Sequence, residues 1–162
     1  MTAVPAAALE ISSTAVQDKQ PMSAQQVYHD CGGENISPDL RFAGVPAGAK
    51  SLALIVHDPD APHPHGWYHW LVADIPVTVA GVAKGAKFAL PARELPTDFG
   101  KPGYNGPCPP KGSGPHHYHF ILYALDVEKI ELPAGMTPYQ VHQAIRLRAV
   151  KETEITGLYE RK

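Results

Sequence analysis

Residues 51–75 read SLALIVHDPDAPHPHGWYHWLVADI and hold two apolar runs of strand length on either side of a proline-rich turn. The first run, Ser51 to His57, is almost continuously apolar, which is typical of a strand that is buried on both faces. The second run, Trp67 to Ile75, is rich in aromatic and β-branched residues and is stopped by Pro76. The segment therefore predicts two central strands of one sheet.

Further strands are predicted on both sides of this segment. A third strand lies in the run HYHFILYALD, which begins at His117, and a fourth lies at Ile155 to Tyr159. Leu9 to Val16 alternates loosely between apolar and polar residues, as an edge strand does. The chain is thus predicted to be rich in strands.

One segment predicts a helix, because Thr137 is a good N-cap residue and Pro138 suits the first helical position. Apolar residues follow it at helical spacing. No internal repeat and no linker interrupts the pattern. We therefore expect one mainly β domain over residues 1–162, with residues 1–8 as an N-terminal extension.

Composition and charge are those of a globular protein, with 44% hydrophobic residues, 19% charged residues and a net charge of −2. Lysine and arginine are scattered, so the chain lacks the basic field that nucleic-acid binding needs. No run approaches the roughly 20 apolar residues of a transmembrane helix. The N-terminus has no basic segment followed by an apolar one. We expect a cytoplasmic protein, or a periplasmic one if a signal peptide has been removed.

The two cysteines, Cys31 and Cys108, both lie in turn-like contexts rich in glycine or proline. Neither belongs to a CxxC motif, so a zinc site or a thioredoxin-like site is not indicated. In an oxidising compartment the two could pair, and closing so long a loop would stabilise the fold by about 4 kcal/mol. Two small unpaired residues are an equally good interpretation.

Two groups of histidines follow stiff turns that are rich in proline and glycine. DPDAP at 58–62 and GPCPPKG at 106–112 precede, respectively, His63, His65 and His69, and His116, His117 and His119. Histidine changes charge near neutral pH and can both donate and accept hydrogen bonds. Proline lowers the entropy that a loop loses when it is ordered. The pattern favours a preformed pocket for a small ligand.

Asp58 is a candidate pocket residue because it directly follows a buried strand, where pockets commonly form. Its carboxylate could accept a hydrogen bond from a histidine or from an ammonium ligand. Asp60 is a second candidate, although a local turn could equally well occupy its side chain. In the third strand, alternation places His116 and Tyr118 on one face, so that this pair can face the pocket.

His69 is a third candidate because it lies within the second strand and shares a face with Trp67 if the strand alternates regularly. A tryptophan ring can form the wall of a pocket or hold a cation. The same alternation predicts that Tyr68 and Trp70 lie on the opposite face. The alternative is a structural role, in which His69 is buried in the core and its ring is hydrogen-bonded there.

Motifs for catalysis and for metal binding are incomplete. The glycine-rich KGSG at 111–114 lacks the spacing of a phosphate-binding P-loop. There is no Gly-x-Ser-x-Gly elbow, and neither cysteine has a general base beside it in sequence. His63, His65 and His69 lack a nearby glutamate, and the proline between the first two fits a strained loop better than a metal-binding strand. No metal, cofactor or catalytic residue is predicted.

Five motifs occur together in one order: CGGENISP at 31–38, DPDAP at 58–62, GWYHW at 66–70, DFG at 98–100 and GPCPPKGSGPHHYHF at 106–120. On these residues the chain resembles the phosphatidylethanolamine-binding protein family, in its bacterial Raf-kinase-inhibitor-like branch, from about Leu9 to Arg161. The resemblance implies a mainly β fold with a large central antiparallel sheet, a smaller second sheet and one or two short helices.

The resemblance also implies a small cavity that takes anions such as phosphate, phosphoethanolamine headgroups or carboxylates. The cavity positions that it implies are Asp58, Asp60, His69, His116 and Tyr118, with the turn Pro109-Pro110 as one wall. Many members have arginine where this chain has His117. Paired cysteines like Cys31 and Cys108 occur in a periplasmic subset, and bacterial members are often homodimers.

We therefore expect a non-enzymatic protein that binds a small anion or a phospholipid headgroup, with possible inhibition of a protein partner. Asp58 is expected to raise the basicity of His69 or His116, so that a protonated imidazole donates to the anion. Tyr118 would add a neutral hydrogen bond, and Asp60 could receive an ethanolamine ammonium. One alternative is a kinase or protease inhibitor that works through its loop surface, with a purely structural cavity. Another is a hydrolase that uses the His/Asp cluster and a bound water.

Overall fold

The computed structural model describes residues 1–162 as a set of strands with one α-helix and one short 3-10 helix. The 3-10 helix spans His29–Cys31 and the α-helix, α1, spans Pro138–Arg148. The strands are β1 (Glu10–Ser12), β2 (Gln20–Pro21), β3 (Leu40–Ala43), β4 (Ser51–Asp58), β5 (Trp67–Ile75), β6 (Gly81–Val82), β7 (Arg93–Glu94), β8 (His116–Leu125) and β9 (Ala149–Tyr159).

The strands form two sheets, as predicted. The larger sheet has six strands in the order β2-β9-β8-β4-β5-β7, and the smaller has three in the order β1-β3-β6. Neighbours in the larger sheet are antiparallel except at one edge, where β2 runs parallel to β9. The two central strands predicted from residues 51–75 are β4 and β5, which are adjacent. The mainly β fold is therefore confirmed.

The apolar sequence of β4 reflects burial on both faces of the larger sheet. Leu52, Leu54 and Val56 belong to a core that the larger sheet shares with the smaller sheet. Ala53 and Ile55 belong to a second core, on the face that α1 covers. Each fully buried side chain of Leu, Ile or Val contributes about 1.5–3 kcal/mol to stability. The loops at one end of β4 are thus held by a rigid double-sided core.

A bulge in β5 reverses the predicted alternation. Tyr68 lies opposite His57 and Trp70 lies opposite Val56, so His69 is an extra residue in β5 relative to β4. Tyr68 therefore packs in the helix-side core, whereas Trp70 packs in the core shared with the smaller sheet. The prediction that Tyr68 and Trp70 share a face is wrong, because a bulge of one residue inverts the pattern beyond it.

The helix begins as predicted, with Thr137 as its N-cap. The Thr137 hydroxyl accepts a hydrogen bond from the Gln140 backbone N–H at 3.2 Å, and the Gln140 side chain accepts one from the Thr137 backbone N–H at 2.9 Å. This capping box satisfies two N–H groups that a helix start leaves free.

No helix in the structure is both long enough and apolar enough to cross a membrane.

The inner face of α1 carries a buried histidine, His142, between two tyrosines of the sheet. Its Nδ1 lies 2.7 Å from the Tyr68 hydroxyl and its Nε2 lies 2.7 Å from the Tyr123 hydroxyl. A neutral ring has one donor and one acceptor, so one tyrosine donates and the other accepts. Burial, and then the charge of Arg146, lower the pKa of His142 to about 4. The ring is therefore neutral near pH 7.

Two predicted strands differ in length from the structure. β1 is shorter than the predicted run Leu9 to Val16, because the Ser13 side chain accepts hydrogen bonds from the Ala15 and Val16 N–H groups and forms a turn. β9 is longer than the predicted run from Ile155 and begins directly after α1. Its first half is mostly exposed, so the charged residues there hide the apolar alternation from which a strand is predicted.

Candidate functional site

A cavity of about 280 Å³ lies where one end of β4, β5 and β8 meets the loops that carry DPDAP and GPCPP. Seven of the eight predicted ligand-binding residues line it, and they are Asp58, Trp67, His69, Pro109, Pro110, His116 and Tyr118. The turn between β4 and β5 returns close to Asp58 because it ends at Gly66, where φ is 68° and a Cβ would lie 2.2 Å from the Asp58 carbonyl oxygen. The loops that carry DPDAP and GPCPP, which are far apart in sequence, therefore line the same cavity.

Asp58 and His116 form a buried hydrogen-bonded pair in the wall of the cavity. The His116 Nδ1 lies 2.7 Å from Asp58 Oδ2, and the two side chains are 4% and 3% exposed. The other Asp58 oxygen accepts the Asp60 N–H at 2.8 Å. The His116 Nε2 lies 3.0 Å from the Ser113 hydroxyl. Both ring nitrogens are thus engaged, so the expectation that His116 donates to an anion is not met by this arrangement.

His69 is the cavity residue with a free ring nitrogen. Its Nδ1 donates to the Asn105 carbonyl at 2.7 Å, because a carbonyl oxygen can only accept. Its Nε2 makes no hydrogen bond within the chain and is not sealed inside the protein. Burial lowers the pKa of His69 to about 4, although the Asn105 carbonyl and the Asp58 charge oppose the shift. Near pH 7 the ring is neutral and Nε2 is an acceptor, which does not support the expected imidazolium.

Tyr118 and the backbone of Cys108 contribute hydrogen-bond donors. Burial, together with the charge of Asp58 and a hydrogen bond to its carboxylate, raises the pKa of Tyr118 well above its usual value, so the hydroxyl stays protonated. The Cys108 N–H has no acceptor within the chain, and the next two residues are prolines without an N–H. The cavity therefore combines two donors with the acceptor of His69.

Aromatic rings surround the outer part of the cavity. Phe99 lies with its ring centre 5.7 Å from that of Trp67 and 5.0 Å from that of Tyr28, and His63 lies 4.6 Å from Trp67. Asp98 holds this arrangement by accepting the Tyr68 N–H at 2.7 Å. Sequence reasoning missed Tyr28 and Phe99 as lining residues, and it named His63 only as one of the histidines whose pattern favours a pocket. The DFG motif was a signal for Phe99, whereas nothing in the sequence marked Tyr28.

Asp60 does not line the cavity, and the prediction that it does is wrong. Its Oδ2 accepts hydrogen bonds from the backbone N–H and the Nδ1 of His117, at 2.8 and 2.7 Å. Asp60 lies instead in a neighbouring groove with Ser113. The cause is the turn itself, which points successive carboxylates of DPDAP in different directions. No group of three or more His, Cys, Asp or Glu side chains is arranged to hold a metal ion.

Cys31 and Cys108 are joined by a disulfide, with their Cα atoms 5.6 Å apart, a usual separation for such a bond. Of the two interpretations left open by the sequence, the structure has the paired one. The bond ties the 3-10 helix to the loop that supplies Cys108, Pro109 and Pro110 to the cavity. One wall of the cavity is therefore covalently anchored.

Lowering the pH from about 6.5 to about 4 is expected to destabilise the fold, because burial gives His69 and His142 pKa values of about 4, against about 6.5 in an unfolded chain. The stabilisation is complete above about pH 6.5 and is lost as the pH falls toward 4, by up to about 1.4 kcal/mol per pH unit for each histidine. Urea unfolding at a series of pH values measures this loss of stability. A profile that is flat over this range would contradict the two buried neutral rings.

Comparison with known proteins places the chain among relatives of one kind. Residues 12–160 match the phosphatidylethanolamine-binding protein family. The UPF0098 protein YbcL of Escherichia coli is 39% identical over 96% of this chain and 89% of its own length. LppC of Mycobacterium tuberculosis, provisionally named a lipoprotein, is 41% identical over 98% of this chain and 76% of its own length.

Solved structures agree with this assignment. The crystal structure of E. coli YbcL, described as a member of the mammalian PEBP family, superposes with a TM-score of 0.90 at 37% identity, over 96% of this chain and 100% of that one. A carboxypeptidase Y inhibitor in complex with its proteinase is similar at a TM-score of 0.54 and 21% identity, over 98% of this chain and 85% of that one, which shows the fold alone. The chain belongs to the phosphatidylethanolamine-binding protein family.

Proposed function

We propose that the cavity binds a small oxyanion or phospholipid headgroup, and that phosphate monoesters such as phosphoethanolamine fit it best. The observation that carries this proposal is the set of polar groups in the cavity wall. They are the Tyr118 hydroxyl, the Cys108 N–H and the unprotonated Nε2 of His69. Two donors and one acceptor are complementary to a ligand with several acceptor oxygens and one acidic O–H.

A phosphate monoester has those groups, because its second pKa is about 6 and it retains one P–OH in mildly acidic solution. The P–OH donates to His69 Nε2, and the remaining oxygens accept from Tyr118 and Cys108. The Asp58 carboxylate does not exclude the anion, since both of its oxygens are occupied and His116 lies against it. The polar end of the cavity therefore accommodates the phosphate without a free arginine or lysine.

The aromatic rim suits the other end of phosphoethanolamine. Trp67, Phe99 and Tyr28 line the cavity, and aromatic faces attract an ammonium group by about 0.5–2 kcal/mol. An ammonium on a two-carbon spacer would extend from the phosphate toward these rings. Asp60, bonded to His117, is not needed for this contact.

Phosphoethanolamine affinity is expected to fall at least about tenfold between about pH 5.5 and about pH 8, because the proton between the phosphate and His69 is lost. At about pH 5.5 a diester with the same headgroup, glycerophosphoethanolamine, should bind at least about tenfold more weakly than phosphoethanolamine, since it has no P–OH. Isothermal titration calorimetry measures both. Tyr118→Phe should weaken binding, and His117→Ala is the matched control that should not. Equal affinities at the two pH values would contradict the proposal.

The alternative, a kinase or protease inhibitor that works through its loops, predicts a different outcome. If the cavity is purely structural, Tyr118→Phe leaves inhibition of such a partner unchanged and phosphoethanolamine does not compete with it. A homodimer stays a prediction, which sedimentation would test. Of the two locations expected, the disulfide supports the periplasmic one, because such bonds persist in oxidising compartments.

A further inference from the structure

Ser113 completes a chain of three hydrogen-bonded side chains at the edge of the cavity. Its Oγ lies 3.0 Å from His116 Nε2, and His116 Nδ1 lies 2.7 Å from Asp58 Oδ2. Ser113 is exposed, whereas His116 and Asp58 are buried. A hydroxyl, an imidazole and a buried carboxylate in this order form the nucleophile, base and orienting acid of serine hydrolases. Anion binding in the cavity uses neither Ser113 nor the Nε2 of His116.

The Ser113 hydroxyl has a choice of acceptor that depends on one proton. Its Oγ lies 2.7 Å from the Pro110 carbonyl oxygen as well as close to His116. When His116 Nε2 carries a proton, that N–H donates to Oγ and the hydroxyl donates to Pro110. When Nε2 is unprotonated, the hydroxyl can turn to donate to it, while Nδ1–H remains bonded to Asp58. The second state is the one in which a serine is ready to attack.

We propose that Ser113 is a nucleophile, activated by His116 and Asp58, that takes an acyl group from small esters. Ser113 Oγ forms a bond to the ester carbonyl carbon as its proton moves to His116 Nε2. The bond from that carbon to the leaving oxygen then breaks, and Nε2 returns the proton to the leaving oxygen. A water molecule attacks the acyl-serine by the same route, gives one proton to Nε2, and releases the carboxylic acid as Ser113 regains its proton. This inference goes beyond the proposed function and does not depend on it.

The surroundings of Ser113 provide room and hydrogen-bond donors for such a substrate. Ser113 lies in a groove that shares Pro62, Pro110 and His116 with the wall of the cavity. The backbone N–H groups of Lys111 and Gly114 have no acceptor within the chain. The N–H of the residue after a nucleophile is a usual donor to the developing oxyanion, and Gly114 has that position. The other residues that line the groove are Asp60 and Pro115.

Incubation of the intact protein with p-nitrophenyl acetate tests the proposal. We expect a burst of about one p-nitrophenolate per chain, followed by slower turnover, with one acetyl group located on Ser113 by mass spectrometry of peptides. Ser113→Ala should abolish the burst and the label. Ser23→Ala is the matched control, because Ser23 is also exposed and its hydroxyl bonds to Gln26 instead of a histidine; it should react like the unmodified chain.

The pH profile of acylation distinguishes a serine that His116 and Asp58 activate from a serine that is merely reactive. The burst rate should rise with pH to a plateau, as it does when one general base must be unprotonated, and Asp58→Asn should slow it at least about tenfold. If Asp58→Asn does not fold, the presence of the plateau and the result with Ser113→Ala decide whether the proposal holds. No acetyl on Ser113, or a rate that rises in proportion to hydroxide without a plateau, would overturn the proposal. Phosphoethanolamine binding by Ser113→Ala is measured in parallel, so that failure of acylation is distinguished from failure of the cavity.

Discussion

Replacing His116 with alanine should lower the free energy of unfolding by about 3–5 kcal/mol, because it leaves the buried Asp58 carboxylate without its partner. The pair is at 2.7 Å and its side chains are only 4% and 3% exposed. An unpaired charge at that depth cannot be hydrated as it is in the unfolded chain. The same substitution removes one wall of the cavity, so phosphoethanolamine binding should be lost even where the variant is folded.

His117→Ala provides a matched control one residue further along β8. The His117–Asp60 pair has the same separation, 2.7 Å, but its side chains are 51% and 41% exposed. Exposed pairs of this kind contribute about 0–1 kcal/mol. Urea unfolding of the two variants and of the unmodified chain, at about pH 7, measures the difference. If the two variants lose similar amounts of unfolding free energy, burial does not determine how much the His116–Asp58 pair contributes to stability.

Removal of the disulfide should lower the free energy of unfolding by about 4 kcal/mol, because the bond joins residues 77 apart and restricts the unfolded chain. The Cys31→Ser, Cys108→Ser double variant is compared with the unmodified chain by urea unfolding. Phosphoethanolamine affinity should also fall, since the bond anchors the loop that supplies Cys108, Pro109 and Pro110 to the cavity.

A reducing agent provides the control for this second experiment. Dithiothreitol should destabilise the unmodified chain to about the level of the double variant, and it should leave the double variant unchanged. If the double variant is as stable as the unmodified chain and binds the ligand equally well, neither the stabilising role nor the anchoring role of the bond stands.

Much of the fold could be predicted from residues 51–75 and 116–125, because strands buried on both faces have an unmistakable apolar sequence. The capping residues of α1 were equally clear, since Thr137 and Pro138 act locally. The bulge at His69 could not be predicted, because it results from pairing with β4 and no residue type marks it. The first half of β9 was missed for a related reason, as an exposed strand carries few apolar residues.

The cavity was predicted more completely than its chemistry. Motifs identify residue types, and seven lining residues were found in that way. Burial and hydrogen-bond direction are properties of the folded chain, so the neutral state of His69 could not be read from the sequence. Ser113 was missed as a neighbour of Asp58 because the two are far apart in sequence and meet only through His116.

The proposed anion binding must be compatible with an aspartate in the cavity wall. Asp58 is turned toward His116 and toward the Asp60 N–H, while Tyr118 and His69 line the cavity from other strands. The sheet positions each group separately, and His69 lies on the cavity side of β5 together with Trp67. Under the proposed function, specificity for a protonated phosphate would follow from the tautomer that the Asn105 carbonyl imposes on His69.

A crystal structure of the protein with phosphoethanolamine at about pH 6 tests the central claim most directly. We expect the phosphate in the cavity, with one oxygen within hydrogen-bond distance of His69 Nε2, others near the Tyr118 hydroxyl and the Cys108 N–H, and the ammonium against Trp67. A phosphate bound elsewhere, or a filled cavity in which His69 Nε2 contacts no ligand oxygen, would contradict the account.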